Sequence, residues 1–158
     1  DAQLSRGLGD VYKRQEYMAM YFEKYPGVKQ YMESTKESAS QNGYVETLFG
    51  RRLYLKEINA NNALRRQASE RAAINAPVQG TAADIMKIAM IRMYQALEKE
   101  KSEARIILQV HDELILDTPE KEIDRVIELT TEAMKEATLL DVPLEIDIGI
   151  GDNWDQAH

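Results

Sequence analysis

Apolar positions along this chain recur with two different periods, and the changes between them mark its elements. Tyr17, Met20, Tyr21 and Tyr25 stand near helical spacing, predicting a helix from Glu16 to Tyr25 that Pro26-Gly27 breaks. A second helix is expected from about Val28 to Ser40, closing near Asn42-Gly43. Tyr44 to Leu55 reads as a β-hairpin, with β-rich flanks and Phe49-Gly50 at the turn. Ala63 to about Leu97 is a long helical stretch in which Ile74, Val78, Ile85, Ile88, Ala89 and Met93 repeat at three- and four-residue steps. Pro77 lies inside it, and a proline there removes one hydrogen bond and crowds the preceding turn, so a kink or break is expected.

The second half alternates. Arg105 to Asp117 predicts another hairpin, with Ile106, Leu108 and Val110 on one face, Ile107 and Gln109 on the other, and the polar trio His111-Asp112-Glu113 between the strands. Thr118-Pro119 opens a helix whose buried face is expected to be Ile123, Val126, Ile127, Thr130 and Met134. Leu144 to Ile150 reads as a last strand, with Leu144, Ile146, Ile148 and Ile150 facing one way. The fold class is therefore α+β: helices and a β-hairpin, then an α-β-β-α-β order, which is a βαββαβ unit without its first strand. It implies an antiparallel sheet with helices on one face. Residues 1–15 show no clear period and are expected to be a disordered or weakly helical leader; Trp154 reads as a packing anchor and His158 as a solvated terminal residue.

With 158 residues, 44% of them apolar, the chain can bury a core. It has no cysteine, which excludes disulfides and thiolate metal sites, and no apolar run long enough to span a bilayer. Net charge is -7, which by itself argues against nucleic acid. The distribution changes that picture. Arg51 to Arg71 carries six basic and two acidic residues, whereas Glu98 to His158 carries 17 acidic and six basic ones. A basic segment on an acidic body can hold a phosphate backbone locally, or be one of two ordinary solvated faces.

Three constellations could carry chemistry. Asp112 and Glu113 are adjacent carboxylates between apolar strands, hard oxygen donors suited to Mg²⁺; a polar hairpin turn is the plainer reading. Arg71, Asn75 and Gln79 are spaced by four, so they form a stripe on one helix face among small residues (Ala72, Ala73, Ala76, Gly80). All three can donate hydrogen bonds, and every base pair offers acceptors in the minor groove, so such a stripe can grip a duplex without reading it. Tight helix packing beside a solvated edge is the alternative. Arg51 and Arg52, after Gly50, fit phosphate positioning or an exposed surface pair.

In this order the pieces resemble the end of family A (bacterial DNA polymerase I-like) DNA polymerases. The resemblance rests on Tyr21-Phe22-Glu23-Lys24-Tyr25-Pro26-Gly27-Val28, on Gly43 to Arg52 (GYVETLFGRR), on Glu70 to Asp84 (ERAAINAPVQGTAAD), on Gln109-Val110-His111-Asp112-Glu113-Leu114 and on Gly151 to His158 (GDNWDQAH). It implies that Asp112 ligates catalytic magnesium with Glu113 in support, as part of a two-ion site. It implies that His111 lies against the primer terminus, that Arg71, Asn75 and Gln79 touch the minor groove of the new duplex, and that Arg51 and Arg52 sit on the template side. Residues 16–60 would be the C-terminal part of the fingers and 61–158 palm. The implied reaction is template-directed addition of a deoxynucleotide to a primer 3′-OH by in-line phosphoryl transfer. The implied partners are primer-template DNA and deoxynucleoside triphosphates, in a monomeric, cytoplasmic, nucleoid-associated bacterial enzyme of DNA replication and repair.

The family's other aspartate motif, like D-Y-S-Q-I-E-x-R, is not in this sequence, nor is the triphosphate-binding helix K-x-x-x-N-F-G-x-x-Y-G. The chain alone is therefore expected to be catalytically incompetent. Residues 1–15 lack the family's lead-in to Glu16, which suggests a junction artefact. Two other functions fit parts of the pattern. One is a non-catalytic duplex-binding module that uses the basic segment and the Arg71 stripe. The other is a metal-dependent phosphohydrolase or nuclease around Asp112 and Glu113, which the lack of a further ligand cluster disfavours.

Overall fold

A computed structural model describes the backbone of residues 2–138 and 140–157, with side chains described from Lys13 onward. His158 lies outside the described residues. Packing divides the chain into two compact units, 1–78 and 79–158, and the division falls inside a helix one residue past Pro77.

The first unit begins with helix α1 (Ala2–Lys24), which carries the leader and the expected Glu16 helix as one continuous helical backbone. Helix α2 (Pro26–Asn42) starts on a proline, whose absent N–H costs nothing in a first turn. It stops at Gly43, whose left-handed backbone (φ 77°) lets its N–H donate to the Ala39 carbonyl. Strands β1 (Tyr44–Glu46) and β2 (Arg52–Tyr54) pair antiparallel, with Val45 opposite Leu53. Their connection turns through a Gly50 N–H bond to the Thr47 carbonyl (2.9 Å), with Gly50 at φ 79°. Asn62 then caps α3 (Ala63–Glu100): its Oδ1 accepts from the N–H groups of Leu64 (3.0 Å) and Arg65 (3.2 Å). The core of this unit is Ala39, Val45, Leu55, Ile58 and Ala73.

Pro77 does not break α3, which runs 38 residues through it. Proline leaves the carbonyl four residues back, that of Ala73, without its helical donor. One residue on, the Ile74 carbonyl accepts the Tyr31 hydroxyl of α2 at 2.9 Å, so a side chain serves the turn that proline loosens.

In the second unit α3 ends at Lys101, a non-glycine residue in the left-handed region (φ 54°). The Ser102 N–H reaches the Leu97 carbonyl (3.0 Å) and the Lys101 N–H that of Glu98 (3.1 Å), the paired bonds of a Schellman ending. Strands β3 (Arg105–Val110) and β4 (Glu113–Asp117) form a second antiparallel pair. A single 3-10 turn, Glu120–Glu122, precedes α4 (Ile123–Lys135). Met93, Leu97, Ala104, Val126, Leu129 and Ala133 make the core, against which Ile106 and Leu116 pack from the hairpin.

The α+β class stands, with five expectations of detail corrected. The buried stripe of α4 is Val126, Leu129 and Ala133, so Ile123, Ile127, Thr130 and Met134 flank it. On α3 the buried positions are Ser69, Ala73, Met86, Ala89, Met93 and Leu97, while Val78 is 61% exposed. The strict alternation of β3 fails at Ile107: Ile106 faces Leu116 but Leu108 faces Ile115, so one extra residue bulges out. After it, Leu108 and Val110 no longer share a face with Ile106. Leu144–Ile150 forms no strand, because neither two-stranded sheet extends to it and a strand exists only through a partner's N–H and C=O groups. Trp154, in the short C-terminal helix α5 (Trp154–Ala157), is 47% exposed and is not a buried anchor.

Candidate nucleic-acid interface and carboxylate turn

The carboxylate pair sits at the tip of the β3–β4 hairpin. Val110 pairs with Glu113, leaving His111 and Asp112 as a two-residue turn. His111 takes the left-handed region (φ 49°) at the first turn position, where glycine is usual, and Asp112 does not. Sterics at Cβ make that conformation costly for histidine. The Gln109 side chain offsets this locally: its Nε2 donates to the His111 carbonyl at 2.6 Å. His111 and Asp112 are exposed and Glu113 is half-buried. The tight turn that two adjacent carboxylates need in order to serve one site is thus present.

Hard oxygen donors are the right type for a magnesium ion. Among the described residues, however, no group of three or more His, Asp or Glu gathers in metal-binding geometry. Asp112 and Glu113 by themselves therefore do not make a complete site.

Arg71, Asn75 and Gln79 all lie on α3 and are all exposed. Beside them Ala73 is fully buried, which separates the packing face of the helix from the polar stripe. The expected alternative, tight packing of the small residues, is therefore met by Ala73 without covering the stripe. The two arginines of the first hairpin differ. Arg52 is committed to its own unit: it bonds the Glu46 carboxylate at 2.6 Å and stands 4.4 Å from the Tyr44 ring centroid. That hydrogen bond to Glu46, helped by Tyr54 and Tyr44, raises its pKa and holds its charge. Arg51 is exposed at the turn, and its N–H donates to the Thr47 hydroxyl (3.2 Å).

Sequence reasoning did not find two features. Lys56 and Arg65 share an open cleft of about 430 Å³ with Tyr54, Glu57 and Ser69, joining two cations of the basic segment that stand nine residues apart. The Gln109 bond was also missed, since a glutamine in a strand signals nothing until the turn beside it is known. No helix among the described residues is long and apolar enough to cross a membrane.

The sequence profile of DNA polymerase family A matches residues 2–156, and the chain belongs to that family. It is 54% identical to DNA polymerase I of Pseudomonas aeruginosa over 144 residues, covering 91% of this chain and 16% of that protein. It is 47% identical to the thermostable DNA polymerase I of Thermus thermophilus over 138 residues, covering 87% of this chain and 16% of that one. Among solved structures it is similar to the POL domain of Pol1 from M. smegmatis in complex with DNA primer-template and dNTP. That match has a TM-score of 0.87 at 46% identity and covers 89% of this chain and 25% of the other. The chain thus spans under a fifth of the length of these curated relatives.

Proposed function

We propose that this chain is a segment of the polymerase core of a DNA polymerase I-type enzyme, which adds deoxynucleotides to a primer 3′-OH under template direction. The observation that carries the reading is its likeness, at 46% identity, to a polymerase domain complexed with primer-template and dNTP. In this reading Arg71, Asn75 and Gln79 hold the duplex through the minor groove, His111 lies at the primer terminus, and Arg51 and Arg52 flank the template. Arg52 is the weakest of these assignments, since its guanidinium already serves Glu46. Residues 16–60 belong to the fingers and 61–158 to the palm of a monomeric, cytoplasmic, nucleoid-associated bacterial enzyme. The family's divalent metal is here Mg²⁺ in a two-ion site, and Asp112 with Glu113 would provide part of its shell. When bound, such ions neutralise charge on the transferring phosphoryl group.

Because Asp112 and Glu113 lack further ligands among the described residues, the chain alone should extend no primer while still binding duplex. The test is fluorescence anisotropy with a labelled primer-template at several salt concentrations. Binding should weaken steadily as salt rises, as counterion release requires. Arg71→Ala should cost about 1–3 kcal/mol, roughly 5- to 150-fold in affinity. Salt-independent binding, or wild-type affinity in Arg71→Ala, would overturn the reading. The duplex-binding module is contained within this proposal and shares its test. A nuclease has no supporting ligand set among the described residues.

A further inference from the structure

The hairpin tip carries two departures from regular β structure within five residues. Ile107 bulges out of β3, and His111 occupies the left-handed region at φ 49°. Bulges re-aim the residues that follow them, and strained backbone persists only where its surroundings hold it. Between the two stands Gln109, an exposed side chain that serves no core, with its amide 2.6 Å from the His111 carbonyl. The bulge places Gln109 on the face of Ile106 and Leu114, since Gln109 is paired with Leu114 and Ile106 with Leu116. From there its amide spans the turn on the side where the His111 carbonyl emerges.

We propose that Gln109 is a positioning residue: its amide clamps the His111 peptide in the left-handed conformation and so fixes the direction in which Asp112 leaves the turn. This rests on the reading of Asp112 as a functional carboxylate, but its test does not. Without the bond, His111 is free to relax toward negative φ, the ordinary region for a residue with a Cβ. The peptide joining it to Asp112 would then rotate, and the Asp112 carboxylate would be displaced although no core contact had changed. Glutamine fits this role in length and chemistry, because it brings a neutral donor to a carbonyl two residues on without adding charge beside two carboxylates.

The experiment uses isotopically labelled full-length chain and NMR. Two readouts report the turn: the His111 backbone coupling constant, which depends on φ, and amide exchange at Glu113, the residue that closes it. Gln109→Leu keeps the side chain's bulk and removes the donor. It should move the His111 coupling away from its left-handed value and raise Glu113 exchange about tenfold, the population change that one ordinary hydrogen bond provides. Adding His111→Gly should restore Glu113 protection with the amide still absent, because glycine adopts positive φ without strain. In the His111→Gly background, therefore, Gln109→Leu should have no effect. An unchanged coupling and exchange in Gln109→Leu overturns the clamp. So does failure of His111→Gly to rescue, which would mean the glutamine acts otherwise than through the backbone of His111. Loss of primer-template binding in the parent chain, with these NMR results intact, would refute the functional reading and leave the clamp standing.

Discussion

Met93 is the fully buried large side chain around which the second unit packs, and truncating it probes how the hairpin tip is supported. The Met93→Ala change removes three heavy atoms from the cluster formed with Leu97, Ala104, Val126, Leu129 and Ala133. Methionine-to-alanine changes in cores cost about 2–5 kcal/mol, depending on how far the site collapses. Two of the facing residues here are already alanines, on β3's approach and on α4, and have nothing to extend into the gap. That places the expected cost in the upper part of the range, about 3–5 kcal/mol. The Thr130 hydroxyl, 3.6 Å from the sulfur, adds little, since it also bonds the Val126 carbonyl at 2.7 Å and remains satisfied. A unit of this size has a total stability of roughly 4–12 kcal/mol, so the loss is a large part of it. Amide hydrogen exchange is the assay, because it reads each unit separately. Protection along α4 and β3 should fall by roughly 10²- to 10³-fold or more, with Val45 and Leu55 in the first unit unaffected. The matched control is Ile91→Ala, at a 57% exposed position of the same helix and unit, expected to change stability by less than about 0.5 kcal/mol. A Met93→Ala chain destabilised by no more than the control would refute this account of the core.

The remaining predictions concern single bonds and one bulk property. Tyr31→Phe should destabilise the first unit by about 0.5–1.5 kcal/mol and speed exchange around Pro77, read by urea melts and hydrogen exchange; no change would mean that the Ile74 carbonyl does not depend on Tyr31. The Glu122 carboxylate is held below its ordinary pKa, first by the Ser102 hydroxyl, then by the backbone N–H groups at Glu103 and Ala104 and the Lys121 ammonium. A depressed folded pKa means stabilisation that is present above the unfolded glutamate value and is lost as pH falls through the folded one, so this junction should loosen only in acid. In Ser102→Ala the Glu122 pKa, followed by carbon-detected NMR, should rise toward the ordinary value, and an unmoved titration would rule out the hydroxyl as the main cause. The chain should self-associate with rising concentration in sedimentation, because Ile107 and Leu108 are exposed on β3, which has only β4 as a strand partner among the described residues, and Ile148 and Ile150 are exposed outside any sheet; a monomer with a sharp, concentration-independent melt would contradict this.

What the sequence made legible was set by residues with a dominant local effect. Pro26-Gly27 marked the break after α1 and Gly43 the end of α2, although α2 itself starts at Pro26 and not at Val28. Both hairpins fell where Gly50 and the His111–Asp112 pair interrupt β-rich runs. Asp112, Glu113 and the Arg71 stripe could be picked out as candidates from residue type and spacing, while their roles came only from the family resemblance. The misplaced helix stripes have one physical root. Periodicity weighs bulky residues, but this protein buries alanines: Ala39 and Ala73 in one core, Ala104 and Ala133 in the other. The stripes of α3 and α4 are accordingly centred off the bulky positions. Left-handed backbone at Lys101 and His111 was equally invisible, because neither residue type favours it and only the surrounding hydrogen bonds hold it.

Leu144–Ile150 shows the limit most sharply. Its alternation is as clean as that of any strand in the chain, yet it forms none. Alternation encodes a two-faced surface, one apolar and one polar, and says nothing of a partner. A helix satisfies its backbone within its own segment, so α3 persists even through a proline that removes one of its bonds. A strand must borrow every donor and acceptor from a neighbour, and β3 and β4 are already spent on each other along one edge. The same asymmetry bears on the carboxylate turn. A hairpin fixes its own tip through its register and through a local clamp such as Gln109, so the geometry of Asp112 is settled within 13 residues of sequence, from Arg105 to Asp117. The ligands that would complete a site around Asp112 are long-range partners, as a neighbouring strand is. Geometry that depends on local backbone is therefore fixed within the hairpin, while geometry that depends on pairing across strands is not.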